Sequence, residues 1–325
     1  MGKIKVVHLG IDHTNDDIVS TLDLTHHGMD AQVATFDPKF YATLQTYKYI
    51  IKQISPDIIH THSHLARVAA FKYAKCKRVH TIYSLPRMGF FERLRKNTLS
   101  HMIIAASAPL QKAIDEMGIK NVHTIYNGVH PASLHAEDEL IAFRRQYDIA
   151  DNAFVVTCAA KLFNSKDYIL DTAKELPYNV IVFVMDAEDE CKKQILSCIK
   201  EEKLHNVRVL ADISDASKLI SVSAVLINGY TETATALLLQ GMSLGKPVIS
   251  QKCDDYVVED GINGIIIPWG DTDALDDAIT RLKDDKELYD KLSSGAIEHY
   301  QFRFTASQMA TEMAQVYRQV LQMKG

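Results

Sequence analysis

Apolar runs of strand length, rich in Val and Ile, alternate along this chain with longer stretches of helical periodicity. The runs fall at residues 5–9, 31–36, 58–62, 79–83, 102–106 and 122–125. A polar, weakly periodic stretch at 130–151 reads as a linker with one helix. The rhythm then restarts at 154–158, 180–185, 207–210, 224–227, 247–250 and 265–268. Apolar strands alternating with helices mean parallel sheets covered on both faces. The pattern predicts an α/β chain of two Rossmann-like, doubly wound domains, 1–140 and 141–304. A last helix at 305–325, with Met309, Met313, Val316, Tyr317 and Val320 at helical spacing, is expected to cross back to the first domain. In such sheets ligands bind beyond the carboxyl ends of the strands, so the expected site is the cleft between the domains.

Composition narrows this further. With 325 residues, 47% hydrophobic and 24% charged, the chain can bury two ordinary cores. Its longest apolar runs, such as 180–185, fall far short of the roughly 20 residues that cross a bilayer. MGKIKVVHLG enters a strand-like run at once, without a targeting segment, so a cytoplasmic location is expected. Five cysteines (76, 158, 191, 198 and 253) form no Cys-x-x-Cys pair; neither a disulfide nor zinc is expected.

The net charge of -5 hides an asymmetry: residues 1–130 hold 16 basic and 10 acidic groups, the remainder 20 and 31. Between Arg67 and Lys96 stand nine basic residues against the single acid Glu92, and RMGFFERLRKN interleaves Met88, Phe90, Phe91 and Leu94 among them. Two readings are open for 67–96, a patch resting on an anionic membrane surface or a solvated basic rim. No nucleic-acid partner is expected.

Two segments carry candidate chemistry. Ala160-Lys161-Leu162-Phe163-Asn164-Ser165-Lys166 puts two ammonium groups on a strand-to-helix loop, where cations and a helix N-terminus both favour phosphate oxygens; plain solvated lysines are the alternative. Further on, a Gly/Thr-rich turn starts an apolar helix at Glu232, and Gly245-Lys246-Pro247 leads into a strand. The Glu232 carboxylate could cap that helix or accept hydrogen bonds from sugar hydroxyls, with backbone N–H groups near Thr233, Ala234 and Thr235 facing a phosphate.

These residues resemble the retaining, nucleotide-sugar-dependent glycosyltransferases of family four. Lys161 and Lys166 have the spacing of that family's phosphate-binding pair. Glu232 stands at the first position of its Glu, seven residues, Glu pattern. Gly245-Lys-Pro-Val-Ile, Glu259-Asp-Gly-Ile-Asn-Gly-Ile, Trp269-Gly-Asp, Pro56-Asp-Ile-Ile-His-Thr-His and Tyr126-Asn-Gly-Val match its other segments. The resemblance implies the two-lobed GT-B fold. It also implies a catalytic set of Lys161, Lys166 and Glu232, with Thr233, Ala234, Thr235 and Gln240 binding the donor.

The chain departs from the pattern at three places. Gln240 stands where the ribose-binding Glu is usual, Gly10-Ile-Asp-His-Thr-Asn-Asp-Asp where paired glycines are common, and Tyr83 where many relatives have a histidine facing the donor sugar. His80 and Tyr83, three apart on a strand, should point to opposite faces.

The run His60-Thr-His62-Ser-His64 invites a metal reading, since alternate strand residues share a face. The resemblance instead implies a metal-free fold without a cofactor, in which His62 and Tyr83 border the acceptor cleft. The function expected is transfer of a hexose or N-acetylhexosamine from a nucleotide diphosphate sugar to a glycan or lipid-linked glycan. A noncatalytic GT-B module that binds a partner glycosyltransferase or a glycan is the alternative from another class.

Overall fold

The computed structural model describes residues 3–10, 24–34, 44–83, 99–159, 166–177, 179–185, 189–210, 216–228, 232–251 and 257–323. The chain divides into two units, Met1–Val129 with Arg303–Gly325, and His130–Phe302. The segment 130–140, placed by sequence with the first domain, therefore groups with the second.

The first unit contains strands β1 (Ile4–Leu9), β2 (Met29–Val33), β3 (Ile58–Thr61), β4 (Lys77–Ile82), β5 (Met102–Ala105) and β6 (Val122–Thr124). Helices α1 (Leu44–Ile54), α2 (His64–Tyr73) and α3 (Ala108–Glu116) lie between them. The second unit contains α4 (Glu137–Gln146), β7 (Phe154–Ala159), α5 (Lys166–Glu175), β8 (Val180–Met185), α6 (Asp189–Glu201) and β9 (Val207–Leu210). It continues with α7 (Ala216–Val222), β10 (Val225–Ile227), α8 (Glu232–Ser243), β11 (Val248–Gln251) and β12 (Gly264–Ile267). Helices α9 (Thr272–Asp284) and α10 (Lys286–Arg303) complete that unit, and α11 (Ala306–Gln322) returns to the first.

Each unit is built on a six-stranded sheet, ordered β2-β1-β3-β4-β5-β6 in one and β12-β11-β10-β7-β8-β9 in the other. All pairings within the two sheets are parallel. Strand order reverses between β1 and β3 and again between β7 and β10, and beyond the carboxyl ends of such neighbours a doubly wound sheet opens a crevice. The strand expected at 31–36 is Met29–Val33 instead. A left-handed Gly28 (φ 77) closes a short 3-10 turn, and Met29 pairs directly with Ile4.

Alternation of side chains distributes the first core over two faces. Val6, Ile58, Val79, Met102 and Ile104 pack against Met309, Met313, Val316, Tyr317 and Val320 of α11. On the other face Val7, Leu9 and Ile59 pack against α1 and α2 through Tyr47, Ile51, Ala66, Ala69 and Ala70. Ser63 and Ser107 start α2 and α3 by accepting hydrogen bonds from Ala66 N and Leu110 N. The second sheet is buried in the same way, with Val156, Val180, Val182, Val225 and Ile249 in its main cluster.

Candidate active site

In the second unit, α5 and α8 follow β7 and β10, the two neighbours at the reversal of strand order. Lys166 is the first residue of α5 and Glu232 the first of α8, so each stands where a helix begins beside that reversal. Helix starts present unsatisfied N–H groups and a positive dipole end. Lys161 lies outside the described residues, and Lys166, Glu232, Thr233 and Ala234 are described by their backbone alone. Thr235 and Gln240 are half-buried, eight residues separating Gln240 from Glu232. The Gln240 carbonyl accepts the Ser243 hydroxyl at 2.6 Å.

The segments that resemble family motifs downstream of Glu232 have structural work to do. Gly241 lies against Leu226 so closely that a Cβ would collide with it, which brings α8 onto β10. Gly245, left-handed at φ 72, ends α8 and turns the chain toward β11. Lys246 is spent on Ser221, whose carbonyl accepts its ammonium at 3.0 Å, and burial pulls its pKa down. Asn263 is fully buried: its side chain accepts from Glu259 N at 2.8 Å and donates to the Val257 carbonyl at 2.9 Å, holding the turn before β12.

The first unit carries a polar group at its own reversal of strand order. Register pairs His8 of β1 with His60 of β3, and His60 with Val79 of β4. From there a string of contacts runs unbroken. Thr81 Oγ1 lies 2.6 Å from His60 Nε2, and His60 Nδ1 lies 2.7 Å from the Tyr317 hydroxyl. Tyr317 then reaches His8 Nε2 at 3.3 Å, His8 Nδ1 reaches His62 Nε2 at 3.0 Å, and His62 Nδ1 reaches the Tyr83 hydroxyl at 2.7 Å. His62 and Tyr83, both expected to border an acceptor cleft, are thus hydrogen-bonded to each other.

His80 turns the other way, to Thr61, as strand alternation requires. Burial pulls the pKa of His8 down to about 4 and that of His80 to about 3. Burial and neighbouring rings hold His60 and His62 well below the usual histidine range, and burial pushes the Tyr317 phenol well up.

The ring nitrogens of His8, His60 and His62 come within 4.8 Å of one another, which makes this trio the candidate metal group among the described residues. His64, the third histidine of the sequence run, is not part of it; its place is taken by His8 from another strand. All six ring nitrogens are engaged in the string, and no carboxylate lines the small cavity beside it, which is the setting of a satisfied neutral network more than of a cation. Sequence reasoning missed His8 and Tyr317.

Of the basic stretch 67–96, residues 84–96 lie outside the described residues, as do 11–17 after the first strand. Arg67 is not part of a solvated rim: it is 2% exposed, donating to Ser100 Oγ at 3.1 Å. Arg78 lies over Phe71 at 5.6 Å and donates to the Leu99 carbonyl, while Lys72 and Lys75 are exposed.

Two Rossmann-like domains, each on a six-stranded parallel sheet, are the mark of the GT-B class, and solved structures agree. A glycosyltransferase from Rickettsia africae ESF-5 superposes with a TM-score of 0.78 at 15% identity over 100% of both chains. HepE of Anabaena, solved in complex with UDP and glucose, also gives 0.78, at 18% identity over 97% of this chain and 100% of that one. Residues 24–133 match the family described as Glycosyltransferase Family 4, and residues 154–285 match Glycosyl transferases group 1. The chain belongs to the family-four-like GT-B glycosyltransferases.

Curated relatives include the O-antigen chain mannosyltransferase C of Escherichia coli, 23% identical over 68% of this chain and 59% of its own length. The chain thus spans about three fifths of that relative. The lipopolysaccharide core biosynthesis glycosyltransferase LpsD of Rhizobium meliloti (strain 1021) is 24% identical over 79% of this chain and 73% of its own length.

Proposed function

We propose that this protein transfers a hexose or N-acetylhexosamine from a nucleotide diphosphate sugar, with UDP as the nucleotide, to a hydroxyl of a glycan or lipid-linked glycan. The configuration at the anomeric carbon is retained. The observation that carries the reading is the placement of Lys166 and Glu232 at the first residues of the two helices that flank the reversal of strand order in the second unit. Bond breaking leaves negative charge on the departing diphosphate. Lys161, Lys166 and the first N–H groups of α8, at Thr233 to Thr235, stabilise that charge electrostatically, without a metal or cofactor. Glu232 orients the sugar, and Gln240 bonds the ribose with a neutral amide where relatives have a carboxylate. A phosphate oxygen receives the acceptor proton, so no protein base is assigned.

The first unit binds the acceptor, with His62 and Tyr83 bordering its place. The printed names of the relatives, O-antigen and lipopolysaccharide glycosyltransferases, support a role in surface polysaccharide assembly. The UDP and glucose complexes of HepE support the donor class. No described helix is long and apolar enough to cross a membrane. A peripheral position on the cytoplasmic face, with 67–96 against anionic lipid, suits a lipid-linked acceptor.

Release of nucleoside diphosphate from a panel of nucleotide sugars, with and without glycan acceptors, tests the reading. Lys166→Ala and Glu232→Ala should each lower turnover at least roughly tenfold, the scale of one lost charge-assisted contact in the transition state, while thermal unfolding barely changes. Wild-type turnover in both variants would end this assignment. Gln240 favours one second reading, a noncatalytic module that binds a glycan or a partner transferase; it predicts no release from any donor by the wild type.

A further inference from the structure

We propose that Tyr317, His8 and His60 are positioning residues for the His62–Tyr83 pair, forming with Thr81 one reversible hydrogen-bonded string that lets Tyr83 meet a sugar hydroxyl either as donor or as acceptor. The proposal rests on the reading that the acceptor binds at the strand ends of the first unit.

The bonds are compatible with two complete proton orders. In one, Thr81 donates to His60 Nε2, His60 Nδ1–H to Tyr317, Tyr317 to His8 Nε2, His8 Nδ1–H to His62 Nε2, and His62 Nδ1–H to Tyr83. The Tyr83 proton is then directed away from the string. In the other order every donor becomes an acceptor: Tyr83 gives its proton to His62 Nδ1 and presents oxygen lone pairs outward. Each hydroxyl and each ring carries one proton in both orders; inversion shifts one proton along every bond, releasing one at Tyr83 and taking one up at Thr81, and a water in the cavity that both ends line can carry it back.

Neutral rings are a condition of this continuity. An imidazolium donates from both nitrogens and would break the sequence of donor and acceptor on one side. Burial keeps His8, His60 and His62 neutral, and aligned bonds in a poorly solvated interior polarise one another. Packing alone would be served by apolar groups of the same shape.

One end of the string, Thr81, is buried; the other, Tyr83, is half-buried. Both ends line one cavity of about 20 Å³, together with Asn127 and the apolar Ile104 and Met313. That space admits one water or one hydroxyl, since a cavity holds a water above roughly 10–15 Å³.

Nitrogen-15 NMR of the full chain with labelled histidines tests this, because ring shifts report which nitrogen carries the proton. Ethylene glycol serves as the hydroxyl probe. In the wild type it should shift His62 and, at the far end of the string, His60. Tyr317→Phe removes the central hydroxyl and keeps the ring; the probe should then still shift His62 but no longer His60. Thr81→Val, a smaller change at the far end, should alter the proton position on His60 and, through the string, on His62. Thermal unfolding of both variants is measured alongside, and Thr81→Val carries the test if Tyr317→Phe fails to fold.

A His60 signal that ignores the probe in the wild type overturns the string. So does a His62 proton position indifferent to Thr81→Val, or one equivalent of zinc retained by the protein through dialysis, since an ion would occupy these nitrogens. Absence of diphosphate release from every donor bears on the glycosyl-transfer reading alone and leaves the NMR result standing.

Discussion

A buried neutral histidine gives the protein an acid limit that can be measured. His8 and His80 have folded pKa values of about 4 and about 3 against 6.5 in the unfolded chain. Below pH 6.5 the unfolded state therefore binds more protons than the folded one. The stability these two groups allow is complete above that pH and is lost as pH falls toward 4, by about 1.4 kcal/mol per pH unit for each ring. Urea midpoints from pH 7.5 to 4.5 should fall steeply, and His80→Asn should flatten the fall; parallel curves for wild type and variant would refute the assignment. At this scale the sequence was partly legible. His62 and Tyr83 were recognisable because each ends an apolar strand. His8 and Tyr317 were not, because their partners stand 54 and 257 positions away and only the register of β1 on β3 and the return of α11 unite them. Lys166 and Glu232 were singled out through spacing and resemblance, and each begins a helix after an expected strand-to-helix turn.

At the scale of elements, the strands were the legible part, because strands buried on both faces are written as continuous apolar runs. Each of the twelve expected strands is present, with shifts at the ends. Residues 31–36 misled because composition cannot show that Gly28 already turns the chain into a strand at Met29. The direction of Arg67 was equally illegible: a basic residue in a basic stretch reads as solvated, yet the first turns of α2 direct it into the interior. Between elements one close test is Gly128, in the segment Tyr126-Asn-Gly-Val. A Cβ there would collide with the backbone carbonyl of Thr305, just where Val129 and Thr305 bridge. Backbone on both sides leaves little room to yield. Gly128→Ala should destabilise the protein by about 1–3 kcal/mol, the usual range for overpacking, read as a lower urea midpoint. An unchanged midpoint would show that this junction is slack.

At the scale of the whole molecule, the first unit takes one wall from the far end of the chain. Met309, Met313, Val316, Tyr317 and Val320 cover Val6, Ile58, Val79 and Met102, and each of these side chains is at most 6% exposed. Deleting 305–325 should expose that sheet face while the second unit, His130–Phe302, keeps its own cluster. Limited proteolysis should then cut within 1–129 early and leave a fragment close to 130–302; equal resistance of both regions would refute the idea that α11 is needed. The boundary between domains was legible only to within about ten residues, because the linker and α4 are polar on both sides of it. The returning helix also fixes an order of events during synthesis. Residues up to Val129 are made before the second unit, yet their core stays open until α11 emerges, so the second unit is free to fold first. A message cut short before residue 306 would yield a polypeptide with a sound second unit and a collapsed first one, which chaperones and proteases can recognise.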